Sequence, residues 1–200
     1  TNPGDRATDP LFGDAGSAVL VEKTGRSAPM HFVLGTDGSG AEAIRVAQGG
    51  ARQPSGDLVE QTDADGNRRH AANLCMNGAD VFSFTLREVP TAIATVLRQA
   101  GWEAAKTDAL VLHQANTFIL QSLAKKTGYA EAQVPTGAFE RYGNQSSASI
   151  PAALIEGLGG RLEAESLRVV GCGYGVGLSW GAFAGEIGPI TVCPIQSFPR

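Results

Sequence analysis

Two short polar clusters carry the residue types that could do chemistry in this chain. The first, His113-Gln114-Ala115-Asn116, follows the apolar run Leu110-Val111-Leu112. The second, Tyr142-Gly143-Asn144-Gln145-Ser146-Ser147, stands just before a helical segment. A neutral imidazole can donate or accept a hydrogen bond near pH 7, which suits work on a carbonyl or its enolate. A carboxamide N–H can join it in holding a developing oxyanion, although a loop asparagine such as Asn144 more commonly caps its own turn. His31 and His70 lack such company and read as structural. The run Gly171-Cys172-Gly173-Tyr174-Gly175-Val176-Gly177 fits either a tight turn or a close backbone approach to a ligand. It is not a dinucleotide fingerprint. The third glycine of G-x-G-x-x-G would fall at Val176 or Leu178, and the run lies between strands rather than before a helix.

Regular elements must hold these clusters. Leu110–Leu112 is apolar and of strand length, so His113 falls at its carboxyl end, where α/β proteins bind ligands. A helix is expected from Thr117 to Lys126, closed by Gly128. The clearest helix spans 80–100, where Val81, Phe84, Val89, Ile93, Val96 and Leu97 recur at spacings of three and four. Pro90 inside it predicts a kink, and Gly101 a stop. Strands are expected at 13–21, 30–35, 167–171 and 178–183. A short helix is expected over 147–156 with Pro151 in its first turn. Gly49 to Asn73 reads as a long loop, and 134 onward as another. Helices alternating with strands indicate an α/β layered fold.

Composition bounds the function. The chain has 200 residues, 42% apolar, with a net charge of -4, enough for one large domain or two small ones. No basic stripe suits nucleic acid, and no run reaches membrane-spanning length. Cys75, Cys172 and Cys193 form no C-x-x-C pair, so neither metal nor disulfide framework is expected and a cytoplasmic setting fits. Cys75 and Cys172 read as buried small hydrophobes. The chain opens on Thr1 rather than Met, as a fragment or processed product would.

Taken in order, six stretches resemble the C-terminal half of the β-ketoacyl-acyl carrier protein synthase III family, in the thiolase superfamily. They are Leu11–Leu20, Gly49–Pro54, Met76–Phe82, His113–Asn116, Gly143–Pro151 and Tyr174–Gly181. The resemblance implies a thiolase-like layered αβαβα fold. Residues 1–25 would close the N-terminal half, and 26–200 would form the C-terminal half with a short C-terminal extension. It implies acyl transfer onto a thiol and then decarboxylative Claisen condensation with a malonyl thioester, in fatty acid or polyketide-type biosynthesis. By that analogy His113 and Asn144 hold the malonyl thioester carbonyl and its enolate, and the Val176 N–H holds the oxyanion on the acyl-enzyme. Gly78, Phe82, Ala115 and Asn116 match the pantetheine channel, and Lys125 and Lys126 match carrier-protein docking residues. Phe118 stands where the family often has arginine, and Val176 where it has glycine.

The expectation is therefore a ketosynthase III-like acyltransferase part. It would have no permanently bound cofactor, acyl-CoA or acyl-ACP thioesters as substrates, and an N-terminal half that supplies the nucleophile. A homodimer or heteromer of the assembled enzyme is expected, without nucleic acid or membrane. The alternatives are a non-catalytic partner subunit of a heteromeric condensing enzyme, or acyl transfer to oxygen or nitrogen on the same fold.

Overall fold

Asn77 opens the longest helix of the computed structural model. Its side chain accepts hydrogen bonds from the N–H groups of Ala79 and Asp80, and Gly101 closes the helix in the left-handed region at φ 68°. The structure describes residues 1–23, 25 and 28–197. Arg26, where the second unit was expected to begin, and the last three residues of the chain lie outside the described residues. In chain order the strands and helices are β1 (His31–Thr36), β2 (Ile44–Val46), β3 (Gln61–Thr62), β4 (Arg68–Arg69), β5 (Leu74–Met76), α1 (Gly78–Ala100), β6 (Ala109–Leu112), α2 (Thr117–Thr127), α3 (Gly137–Tyr142), α4 (Ser149–Ala164), β7 (Leu167–Gly175) and β8 (Ser179–Ile187).

The main sheet has the order β1-β8-β7-β6. Strands β6 and β7 run parallel, and the other pairs are antiparallel. Side chains alternate across it. Leu110, Leu112, Val170, Cys172, Ala182 and Ala184 point to one core, shared with α1 and α2. Ala109, Val111, Leu167 and Val169 point to a second core, under α4. Leu110 and Leu112 are fully buried, so truncation of either to alanine would cost about 2–5 kcal/mol.

Several expectations need correction. Residues 13–21 form no strand. Their neighbour Phe12 makes a single bridge to Asn144, and Val19, Leu20 and Val21 are at least three-quarters exposed. An extended segment becomes a strand only where a partner takes its N–H and C=O groups, and beyond the Gly13 N–H none among the described residues does. The helix expected to end at Glu156 runs on to Ala164. Within it Gly157 packs on Pro135, where a Cβ would lie 2.6 Å from the proline ring. The loop after Pro135 contains α3, which is too short for apolar periodicity to show. The loop from Gly49 to Asn73 includes the small β3–β4 pair. Strands β7 and β8 extend four residues past their expected ends, and α1 starts at Gly78 rather than Asp80. Cys172 is buried as expected, but Cys75 is exposed, since β5 turns Leu74 and Met76 to the core and Cys75 away.

One half of the α4-side face is bare. Helix α4 covers β6 and β7, while Phe32 and Leu34 of β1 stay 58% and 82% exposed. Cross-strand, Phe32 faces Phe183, and Leu34 lies over Gly181.

Candidate functional site

The two polar clusters meet at the C-terminal end of β6. A cavity of about 830 Å³ opens there and extends along the bare sheet face. His113, Asn144 and Val176 line it together with Gly78, Ala115 and Asn116. Six of the residues proposed from sequence therefore share one wall.

His113 is fixed from both backbone and ring. Its N–H donates to the Cys172 carbonyl at 2.9 Å, continuing the β6–β7 ladder beyond the strand. Its carbonyl accepts from the Tyr174 hydroxyl at 3.1 Å, and the Tyr174 ring meets the imidazole edge-on. Nδ1 lies 2.7 Å from the Ser149 hydroxyl at the first turn of α4. Burial pushes the His113 pKa down to about 4, an effect that the nearby Ser146 carbonyl only partly offsets. The ring is neutral at pH 7.

Asn144 is held in a clamp. Its N–H donates to the Leu11 carbonyl at 2.7 Å, and its own carbonyl accepts from Gly13 N–H at 3.0 Å. Both Gly13 and Gly143 sit at this crossing. A Cβ on Gly13 would overlap the Tyr142 carbonyl, and one on Gly143 would lie 2.9 Å from the Leu11 carbonyl. Asn144 Oδ1 accepts from the Ser146 N–H at 2.9 Å, forming the Asx turn that the residue type suggested. That bond assigns the amide orientation, and Nδ2 is left as a donor with no partner among the described residues. Gly13→Ala should release the clamp. We expect a lower melting temperature together with impaired use of any ligand held by Asn144, measured by thermal unfolding and by activity of the native protein.

Ser146 adopts φ 51°, the one non-glycine residue in the left-handed region among the described residues. Such backbone persists where its surroundings fix it. Here its N–H reaches Asn144 and its carbonyl reaches Ser149 at 2.7 Å. Gln114 is fully buried and joins the clusters from beneath. It donates to the carbonyls of Leu112 and Pro135 and accepts from Phe139 N–H at the start of α3. Sequence reading missed Ser149, Gln114, Tyr174 and the Leu11–Gly13 clamp as parts of the site. A lone serine at the start of an alanine-rich helix was the only available signal for Ser149.

The other expected residues fall in different places. Val176 lies between β7 and β8 with its side chain 61% exposed, and its N–H has no partner among the described residues. Asn116 caps α2 by accepting from Ile119 N–H at 2.8 Å. Phe82 is absent from the cavity wall. It stacks on Phe118 with ring centroids 5.4 Å apart, because one turn of α1 aims it at α2. Lys125 and Lys126 are exposed in the last turn of α2, about 14 Å along the helix from Asn116 at 1.5 Å per residue. None of the three cysteines lines the cavity. Burial pushes the Cys172 thiol up to about 12, which makes it a poor nucleophile.

The chain is similar in sequence and fold to several known proteins. Residues 97–187 match the family model of the 3-oxoacyl-[acyl-carrier-protein (ACP)] synthase III C-terminal domain. A β-ketoacyl-[acyl-carrier-protein] synthase III of Symbiobacterium thermophilum is 41% identical over 182 residues, covering 90% of this chain and 52% of its own. The crystal structure of a 3-oxoacyl-(acyl-carrier protein) synthase of Burkholderia xenovorans superposes with a TM-score of 0.86 at 38% identity, over 96% of this chain and 54% of that one. The priming β-ketosynthase of the R1128 polyketide pathway does so at 0.66 and 25%, over 92% and 52%. The chain thus spans about half the length of the curated relatives it matches. By sequence and by its thiolase-like fold, it is similar along nearly its whole length to the C-terminal half of the β-ketoacyl-acyl carrier protein synthase III family, in the thiolase superfamily.

Proposed function

We propose that this chain is the C-terminal part of a ketosynthase III-like condensing enzyme. It would work on acyl-CoA or acyl-ACP and malonyl thioesters in fatty acid or polyketide-type biosynthesis, without a permanently bound cofactor. The observation that carries this reading is the Asn144 Nδ2 donor, without a partner among the described residues, on the same apolar cavity that His113 lines. Loss of carbon dioxide from a malonyl thioester leaves negative charge on the thioester oxygen, and a fixed donor there lowers the barrier. The Val176 N–H, also without a partner among the described residues, would serve the tetrahedral oxyanion of the second carbonyl. Gly78, Ala115 and Asn116 would flank the pantetheine arm.

The nucleophile would come from an N-terminal thiolase-like half, on the same or another chain. Two observations support this: no cysteine of this chain faces the cavity, and Phe32, Leu34 and Val19–Val21 are apolar and uncovered. Residues 1–25 would then pair with that half, and the assembled enzyme would be a dimer in the cytoplasm.

The test uses the native protein supplied with an acyl thioester and then a malonyl thioester. Mass spectrometry should find one acylated residue outside this chain's cysteines, and the second addition should release carbon dioxide and a β-ketoacyl product. Acylation without carbon dioxide release would favour simple acyl transfer instead. Lys125 and Lys126 give a separate result. If they meet an acidic carrier protein, changing both to glutamate should slow association with the carrier and weaken its salt dependence. Turnover of a coenzyme A thioester should hardly change. Equal losses with both would mark the pair as a solvated helix end.

A further inference from the structure

The Ser149 hydroxyl sits fully buried among three polar neighbours, and their types leave it one arrangement. The Ser146 carbonyl, 2.7 Å away, can only accept. The Gln114 N–H, 3.3 Å away, can only donate. His113 Nδ1, 2.7 Å away, can do either, depending on its tautomer. A hydroxyl has one hydrogen and two lone pairs. If that hydrogen pointed at Nδ1, the Ser149 and Ser146 oxygens would face each other at hydrogen-bond distance with no hydrogen between them. If it points at Ser146, all three contacts are satisfied, provided that Nδ1 carries the imidazole hydrogen.

We propose that Ser149 is a positioning residue that holds neutral His113 in its Nδ1–H tautomer, so that Nε2 presents a lone pair at the cavity. Ser146, whose backbone is left-handed, belongs to the same network through its carbonyl, 2.7 Å from the Ser149 hydroxyl. The consequence deepens the condensing-enzyme reading and rests on it for its role in catalysis. The two polar groups at the head of the cavity are then unlike: Asn144 Nδ2 donates and His113 Nε2 accepts. A thioester carbonyl oxygen fits the first, and a thiol or amide hydrogen fits the second. The resemblance implies instead that both residues hold one carbonyl oxygen, and the tautomer distinguishes the two arrangements in the resting site.

The experiment is nitrogen NMR of the native protein labelled at histidine, with the His113→Gln variant used to assign the His113 signals. The expected spectrum has a protonated Nδ1 and an unprotonated Nε2 for His113 near pH 7. Ser149→Ala should raise the proportion of the Nε2–H form by about tenfold or more, since the bond that fixed the hydrogen is gone. Ser149→Thr, which keeps the hydroxyl, should restore the original signals. An Nε2–H ring in the unmodified protein would overturn the proposal, as would a Ser149→Ala spectrum unchanged in tautomer. Should Ser149→Ala fail to fold, the unmodified and Ser149→Thr spectra still decide. Because tautomer is read directly, a protein that shows it but performs no condensation would sink the functional reading alone.

Discussion

Asn144→Ala is expected to lower β-ketoacyl product formation by about 10²–10³ while acyl loading of the nucleophile is nearly unchanged, since one preorganised oxyanion donor is typically worth that much. The bias follows from where the donor points. Oδ1 is committed to Ser146 N–H at 2.9 Å, so Nδ2 is the group turned to the cavity. Alanine also removes the Ser146 contact, which confuses the effect of the donor with that of the turn. Asn144→Asp separates them, because a carboxylate still accepts from Ser146 but offers no N–H and adds negative charge. It should be at least as impaired in condensation, with the fold intact by circular dichroism. Acylated enzyme is counted by mass spectrometry, and product by chromatography. Equal losses in loading and condensation would count against the assignment of Asn144 to the second half-reaction.

The parts of the site legible in the sequence are those whose signal is local. Leu110–Leu112 followed by a polar cluster is a strand with a ligand-facing end, and the structure puts His113 there. Gly128 closes α2 and Gly101 closes α1 as residue type alone suggested, whereas the N-caps Asn116 and Asn77 were not read from the sequence. The contacts that fix the site's protons are not local. Ser149 reaches His113 across 36 positions, and Gly13 reaches Asn144 across more than a hundred. No periodicity encodes such a meeting. The strand expected at 13–21 failed for the reverse reason. Its small residues and the apolar Val19-Leu20-Val21 describe a segment fit for a sheet, but a ladder needs a second strand. That same segment still serves the site, through the bonds on either side of Phe12 that clamp Asn144.

Acidification is expected to destabilise the native protein between pH 6.5 and about 4 through His113, and His113→Gln should remove that component. The folded-state pKa is pushed down to about 4 from 6.5, mainly by burial. In this window the unfolded chain binds the proton and the folded one does not, so unfolding gains protons as pH falls. The contribution is therefore fully present above 6.5 and shrinks through the window, reaching a loss on the order of 3 kcal/mol near pH 4 at about 1.4 kcal/mol per unit. Among the described residues nothing beside the ring offers a compensating negative charge. Tyr174 and Cys172, its near neighbours, are themselves held neutral because burial raises both. Denaturant unfolding at several pH values, compared between the unmodified protein and His113→Gln, isolates the term, since His31 and His70 are common to both. The unmodified protein should lose stability more steeply, by up to about one proton at the centre of the window. Identical slopes would mean that His113 binds its proton equally well in the folded and unfolded protein, against the lowering expected for a partly buried ring with no anion beside it among the described residues.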